Sequence, residues 1–212
     1  MNPYLVLDIE TQRSADEVPG GWYSIQDFGL TIAVTMFASD YGTYPMYFKD
    51  ETAIEQVYYT DELNDRYPIL TTKVLIESLY QTPLIITFNG IRFDYEVLRP
   101  YGLKPEFLYH KSFDILVEMQ KILGHRVSLE SVAQATLGEG KSGSGIQAIK
   151  WYKEGKIDKI IEYCQKDVDI TRRIYEFIQT HSYVQYMSLS GEVRTCKINS
   201  PAKEVILSPQ RK

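Results

Sequence analysis

Residues 4–11 read Tyr4-Leu5-Val6-Leu7-Asp8-Ile9-Glu10-Thr11, an apolar run that ends in acid. A short continuous run of this kind reads as a buried strand. Successive side chains on a strand point to opposite faces, so Asp8 and Glu10 project the same way from its end. Hard divalent cations such as Mg²⁺ take oxygen ligands of this type, completed by substrate phosphates. Taken singly, the pair reads as an ordinary solvated strand end. The same acid spacing recurs at Asp94-Tyr95-Glu96, where a helix would make the two carboxylates diverge.

Working outward, residues 12–29 are polar and contain Pro19-Gly20-Gly21, a loop signal. Leu30 to Ala38 is β-branched and aromatic and reads as a second strand, followed by a turn near Asp40 to Gly42 and a third strand over Tyr44 to Phe48. Leu70, Val74, Leu75 and Leu79 have helical spacing, and Pro83 closes that helix. Leu84 to Phe88 is a further buried strand, and Asn89-Gly90 turns the chain into a short helix over Phe93 to Leu98. Helices are predicted near 112–123, 128–137 and 144–152, and a long one over 157–180. In the long helix Ile157, Ile160, Ile161, Cys164, Val168, Thr171, Ile174 and Ile178 form one apolar stripe. Two strand-like runs, Tyr183 to Leu189 and Val193 to Ile198, flank Ser190-Gly191 and predict a hairpin. The order predicts a mixed α/β sheet with helices on its faces. The expected division is a domain over 1–182 and a C-terminal hairpin extension over 183–212.

Composition narrows the function. The 212 residues carry a net charge of −5, which argues against a broad basic surface that coats duplex nucleic acid but not against a local grip on one strand end. The only cysteines, Cys164 and Cys196, form neither a disulfide framework nor a zinc set. His110, His125 and His181 lie far apart without zinc spacing. No signal peptide is visible, and no stretch approaches the roughly 18 apolar residues of a membrane span. A cytoplasmic protein with no membrane partner is expected.

Two further acids join the first pair. Asp94 follows the strand-turn unit at a helix start, a common place for an acid. Tyr163 and Asp167 are four apart in the long helix, hence on one face one turn apart. A plain alternative for Asp167 is a surface acid paired with Lys166, Arg172 or Arg173. The joint occurrence is harder to treat as background, since each acid sits beside an apolar run. Four carboxylates gathered in a core need cations, and two metal ions would supply them.

These residues resemble the DEDD superfamily of 3′→5′ exonucleases. Its D-x-E-T motif corresponds to Asp8, Glu10 and Thr11; its N-x-x-x-F-D motif to Asn89, Phe93 and Asp94; its Y-x-x-x-D motif to Tyr163 and Asp167. The tyrosine marks the DEDDy branch, and the stretch 128–171 is most similar to bacterial exonuclease domains related to those of family B DNA polymerases. Gln12-Arg13 departs from the family, in which many members have glycine there. The resemblance covers about residues 4 to 180 and implies an RNase H-like fold. It further implies two Mg²⁺ or Mn²⁺ ions held by Asp8, Glu10, Asp94 and Asp167, and a Tyr163 hydroxyl that orients the attacking water. It implies a single-stranded 3′ end as substrate, met by Thr11, Asn89 and Phe93, and nucleoside 5′-monophosphates as product. Some relatives sit beside helicase domains, so a helicase or another nucleic-acid-processing protein is an expected partner.

Gly140-Lys141-Ser142 imitates a P-loop, but Ala135 stands where the pattern needs glycine and the preceding segment reads as helix. Lys141 is kept as a candidate phosphate contact, with a solvated loop lysine as the plainer reading. Two other functions fit the same motifs: a structure-specific endonuclease on this fold, and an inactive nucleic-acid or protein-binding module. The second would usually have lost at least one acid, whereas all four and Tyr163 are present.

Overall fold

Strand β1 (Tyr4–Thr11) runs through the middle of a six-stranded sheet whose order is β4-β3-β2-β1-β5-β6. The computed structural model describes residues 3–39, 42–49, 69–140 and 145–201. β2 (Leu30–Ser39) and β3 (Gly42–Lys49) continue from β1 as an antiparallel meander, as the pattern predicts. The predicted turn residues Asp40 and Tyr41 lie outside the described residues. β4 (Ile69–Thr71) pairs in parallel with β3, β5 (Ile85–Thr87) with β1, and β6 (Ser112–Asp114) with β5. The sheet is mixed, with helices against both faces.

The alternation of β1 divides the core. Tyr4 and Val6 enter one apolar cluster; Leu5, Leu7 and Ile9 enter the other. The first cluster holds the stripe of the long helix, α6 (Ile157–His181). Helices α3 (Ile115–Leu123), α4 (Leu129–Leu137) and α5 (Gly145–Lys153) also contribute to it. The second holds α1 (Thr72–Gln81) and the short α2 (Asp94–Leu98). Burial on both faces explains why β1 is apolar at every position until its acids. All eight residues of the predicted α6 stripe are buried. Asp8 and Glu10 share the parity of Tyr4 and Val6, so they open on the α6 side of the sheet.

Three segments depart from the sequence expectations. Leu70 is not helical: it lies in β4 and is 37% exposed, Val74 is 38% exposed, and α1 buries Thr72, Leu75, Ile76 and Leu79 instead. Ser112 to Asp114 is strand rather than the first turn of a helix, and Asp114 caps α3 by accepting from the Val117 N–H (3.1 Å). The loop of residues 12–29 contains two 3₁₀ segments, Ala15–Glu17 and Gly21–Asp27. Strands β4 and β6 have three residues each, too few to show a period of two, and their parallel partners are distant in sequence.

The hairpin forms as β7 (Tyr183–Met187) and β8 (Val193–Lys197), an antiparallel pair separate from the main sheet. Val184, Tyr186, Cys196 and Ile198 pack into the same cluster as α6. Residues 202–212 lie outside the described part.

Candidate active site

Three elements converge on one cleft of about 380 Å³. The end of β1 brings Asp8, Glu10 and Thr11; the segment after β5 brings Asn89, Phe93 and Asp94; α6 brings Tyr163 and Asp167. All eight line the cleft. Lys141, the ninth candidate, lies outside the described residues.

Local structure explains each placement. A register shift between Glu10 and Thr11 leaves one extra residue on β2, a bulge of the kind that re-aims side chains at a strand end. After β5 the chain reverses at Asn89, which takes a left-handed conformation (φ 73°) that asparagine tolerates better than most residues. Gly90 follows because a Cβ there would come within 2.6 Å of the Thr87 side chain. The reversal is clamped by Asp114, whose carboxyl accepts from the N–H of Asn89 (2.8 Å) and of Ile91 (3.0 Å) as well as Val117. In α6, Ile160, Cys164 and Val168 dock on the sheet, which swings Tyr163 and Asp167 into the cleft. Asp167 is 2% exposed, so it is no surface acid. Arg172 bonds Asp169 and Glu176, and Arg173 bonds Glu139.

The electrostatics report the same proximity. The Asp94 carboxyl is raised well above the usual range, first by burial, then by the charges of Asp8 and Asp114. Burial raises the Tyr163 hydroxyl, and Asp167, Glu10 and Asp8 raise it further. Cys164 is raised by burial and by Asp8, Glu10 and Asp167, so it remains a thiol; its Sγ contacts the backbone oxygen and Oδ2 of Asp8 at 3.4 Å each. Donor atoms of Asp8, Glu10 and Cys164 lie within 4.8 Å of one another. Crowded acids that hold one another's protons are relieved by cations, and a donor set dominated by carboxylate oxygen suits hard divalent ions. The cleft is therefore a candidate acidic metal site.

Three contributors were not legible in the sequence. Cys164 reads as one more member of the apolar stripe. Asp114 falls inside the helix predicted near 112–123 and carries no signal of a clamp. Trp22 sits in the loop of residues 12–29, yet it lines the cleft with 67% of its surface open. Its ring rests against Phe28 (5.7 Å between centroids) and Phe93 (6.3 Å), and those two are 6.0 Å apart. Phe93 is thus both an anchor and part of the cleft wall.

With this geometry in place, sequence comparison agrees with the fold: the family model of the RNase H superfamily matches residues 5–179, and the chain belongs to that superfamily. Its fold is that of nucleases, and the matched span contains all eight described candidates. No curated protein matches the chain. Among the described residues no helix is long and apolar enough to cross a membrane.

Proposed function

We propose that this protein is a metal-dependent 3′→5′ exonuclease that releases nucleoside 5′-monophosphates from the 3′ end of a single strand of DNA or RNA. The observation that carries the reading is the meeting of Asp8, Glu10, Asp94 and Asp167 with Tyr163 in one cleft from three distant segments.

The four carboxylates are the residues that would hold two Mg²⁺ or Mn²⁺ ions. Such ions, when bound, lower the pKa of water and neutralise charge on the scissile phosphate and leaving oxygen. Tyr163 supplies orientation. Its raised pKa keeps the hydroxyl protonated, so it donates a hydrogen bond toward the attacking water and does not act as the base. Trp22 and Phe93 offer aromatic surface beside the acids, suited to any terminal base. Thr11 and Asn89 line the same cleft; Thr11 would meet the terminal sugar and Asn89 would stand near the substrate.

The test uses 5′-labelled DNA and RNA oligonucleotides with Mg²⁺ or Mn²⁺. A ladder that shortens from the 3′ end, with mononucleotides released and abolished in Asp8→Ala and Asp167→Ala, is the expected result. Cleavage of a closed circular single strand would point to an endonuclease instead. Strand binding without cleavage by the parent chain would point to a binding module.

A further inference from the structure

A second cavity, of about 630 Å³, lies between the loop joining α3 to α4 and the C-terminal hairpin. His125 and Arg126 form one side; Tyr186, Ser188 and Arg194 form the other. No acidic side chain is among the described residues that line it. The hairpin wall is fixed to α4 by hydroxyls. Ser131 Oγ donates to the Met187 carbonyl (2.8 Å) and accepts from its N–H (2.9 Å), and Thr136 Oγ1 does the same with Gln185 (2.8 and 3.0 Å). These side chains occupy the backbone edge of β7 that another strand would otherwise pair with. The hairpin wall of the cavity is therefore anchored.

A hydrogen bond links it to the acid cleft. Arg126 Nη2 donates to Asn89 Oδ1 (2.9 Å), and Asn89 lines the cleft. One hydrogen-bonded pair thus joins a lining residue of each hollow. In a chain of net charge −5 whose cleft is acidic, a polyanion gains little from the overall field, and its attraction has to be local. Arg126 and Arg194, both lining the cavity, provide it. Arg194 is held by Glu192 (3.0 Å), an exposed pair that a phosphate would compete for, since such pairs are weak.

We propose that this groove carries the single-stranded polynucleotide 5′ of the bond to be cut, with Arg126 and Arg194 taking backbone phosphates. The direction of the strand rests on the exonuclease reading; the binding surface does not. The hairpin then has a role as the outer wall of a substrate track.

The experiment separates the two. Anisotropy of a 5′-fluorescein oligothymidylate is measured in chelator, where metal-dependent cutting does not run, over a series of salt concentrations. Each phosphate contact in a single strand contributes a slope of roughly −0.7 to log K against log salt. Arg126→Ala/Arg194→Ala should flatten the slope by about 1.4 and weaken a long strand by about tenfold or more at low salt. The charge reversal Arg194→Glu, at an exposed position, should weaken it without any change in the circular dichroism of the fold. Slopes and affinities equal to the parent would overturn the groove, as would a parent dimer in sedimentation that buries this face and excludes the strand. Retained binding with no mononucleotide release in Mn²⁺ sinks the exonuclease reading and leaves the groove standing. Release that proceeds at the parent rate on long strands in the variants does the reverse.

Discussion

Asp114→Ala is expected to damage both stability and the acid cleft, although Asp114 does not itself line that cleft. Its carboxyl is buried and accepts three backbone N–H groups, from Asn89, Ile91 and Val117. Alanine leaves all three without their acceptor. Each buried donor so abandoned costs about 1–3 kcal/mol, and partial entry of water lowers the sum, so a total of about 3–6 kcal/mol is expected. For a chain of this size that is a fall in Tm of about 10–20 °C. Asp114→Asn is milder and more informative. One oxygen, Oδ1, serves Asn89 and Val117, and the other, Oδ2, serves Ile91. The amide nitrogen of asparagine would face the Ile91 N–H, donor to donor, so one bond is lost at about 1–3 kcal/mol. The charge that helps to raise Asp94 also goes. Asp94 then gives up its proton at lower pH, and the midpoint of Mn²⁺ binding against pH should move down. Urea unfolding followed by circular dichroism, with Mn²⁺ titrated at several pH values, reads both effects. An Asp114→Ala protein within about 1 kcal/mol of the parent, with the same metal affinity, would refute the clamp.

In the metal-free protein the stability contributed by Asp94 should fall as pH rises above the ordinary aspartate pKa of about 3.9. Asp94 has a raised folded-state pKa, so the folded chain keeps a proton the unfolded chain has released, and that stability disappears as pH passes through the folded value. Mg²⁺ should reverse the trend, and thermal melts with and without it are the check. Tyr163→Phe should lower kcat by about 10- to 100-fold through a misplaced water with little change in KM, measured by mononucleotide release; a rise in KM alone would make Tyr163 a packing residue. Trp22→Ala should cost about 1–3 kcal/mol of strand binding, or about 5- to 150-fold in Kd. In Trp151→Phe, which leaves Trp22 as the sole tryptophan, its emission should be quenched by an oligonucleotide, and unchanged emission would remove it from the substrate surface.

Much of the site was legible because its parts are local. The parity of β1 by itself puts Asp8 and Glu10 on one face. The four-residue step from Tyr163 to Asp167 put both on one face of α6. The turn at Asn89-Gly90 announced itself by composition. Asp167 illustrates the limit: its neighbours in sequence include arginines that could pair with it, and only the fold shows those arginines bonded to Asp169, Glu176 and Glu139. Leu70 illustrates another. Its spacing from Val74 satisfied a helix, but pairing with β3 drew it into a strand.

Periodicity and residue chemistry over a few turns therefore determined which side chains stand together on each element, because that depends only on the repeat of strand and helix. How the elements meet was decided in three dimensions: the strand order, the short parallel strands β4 and β6, the clamp by Asp114, the approach of Trp22, and the groove beside the hairpin. These depend on contacts between residues far apart in the chain, and such contacts leave no period for a single sequence to display.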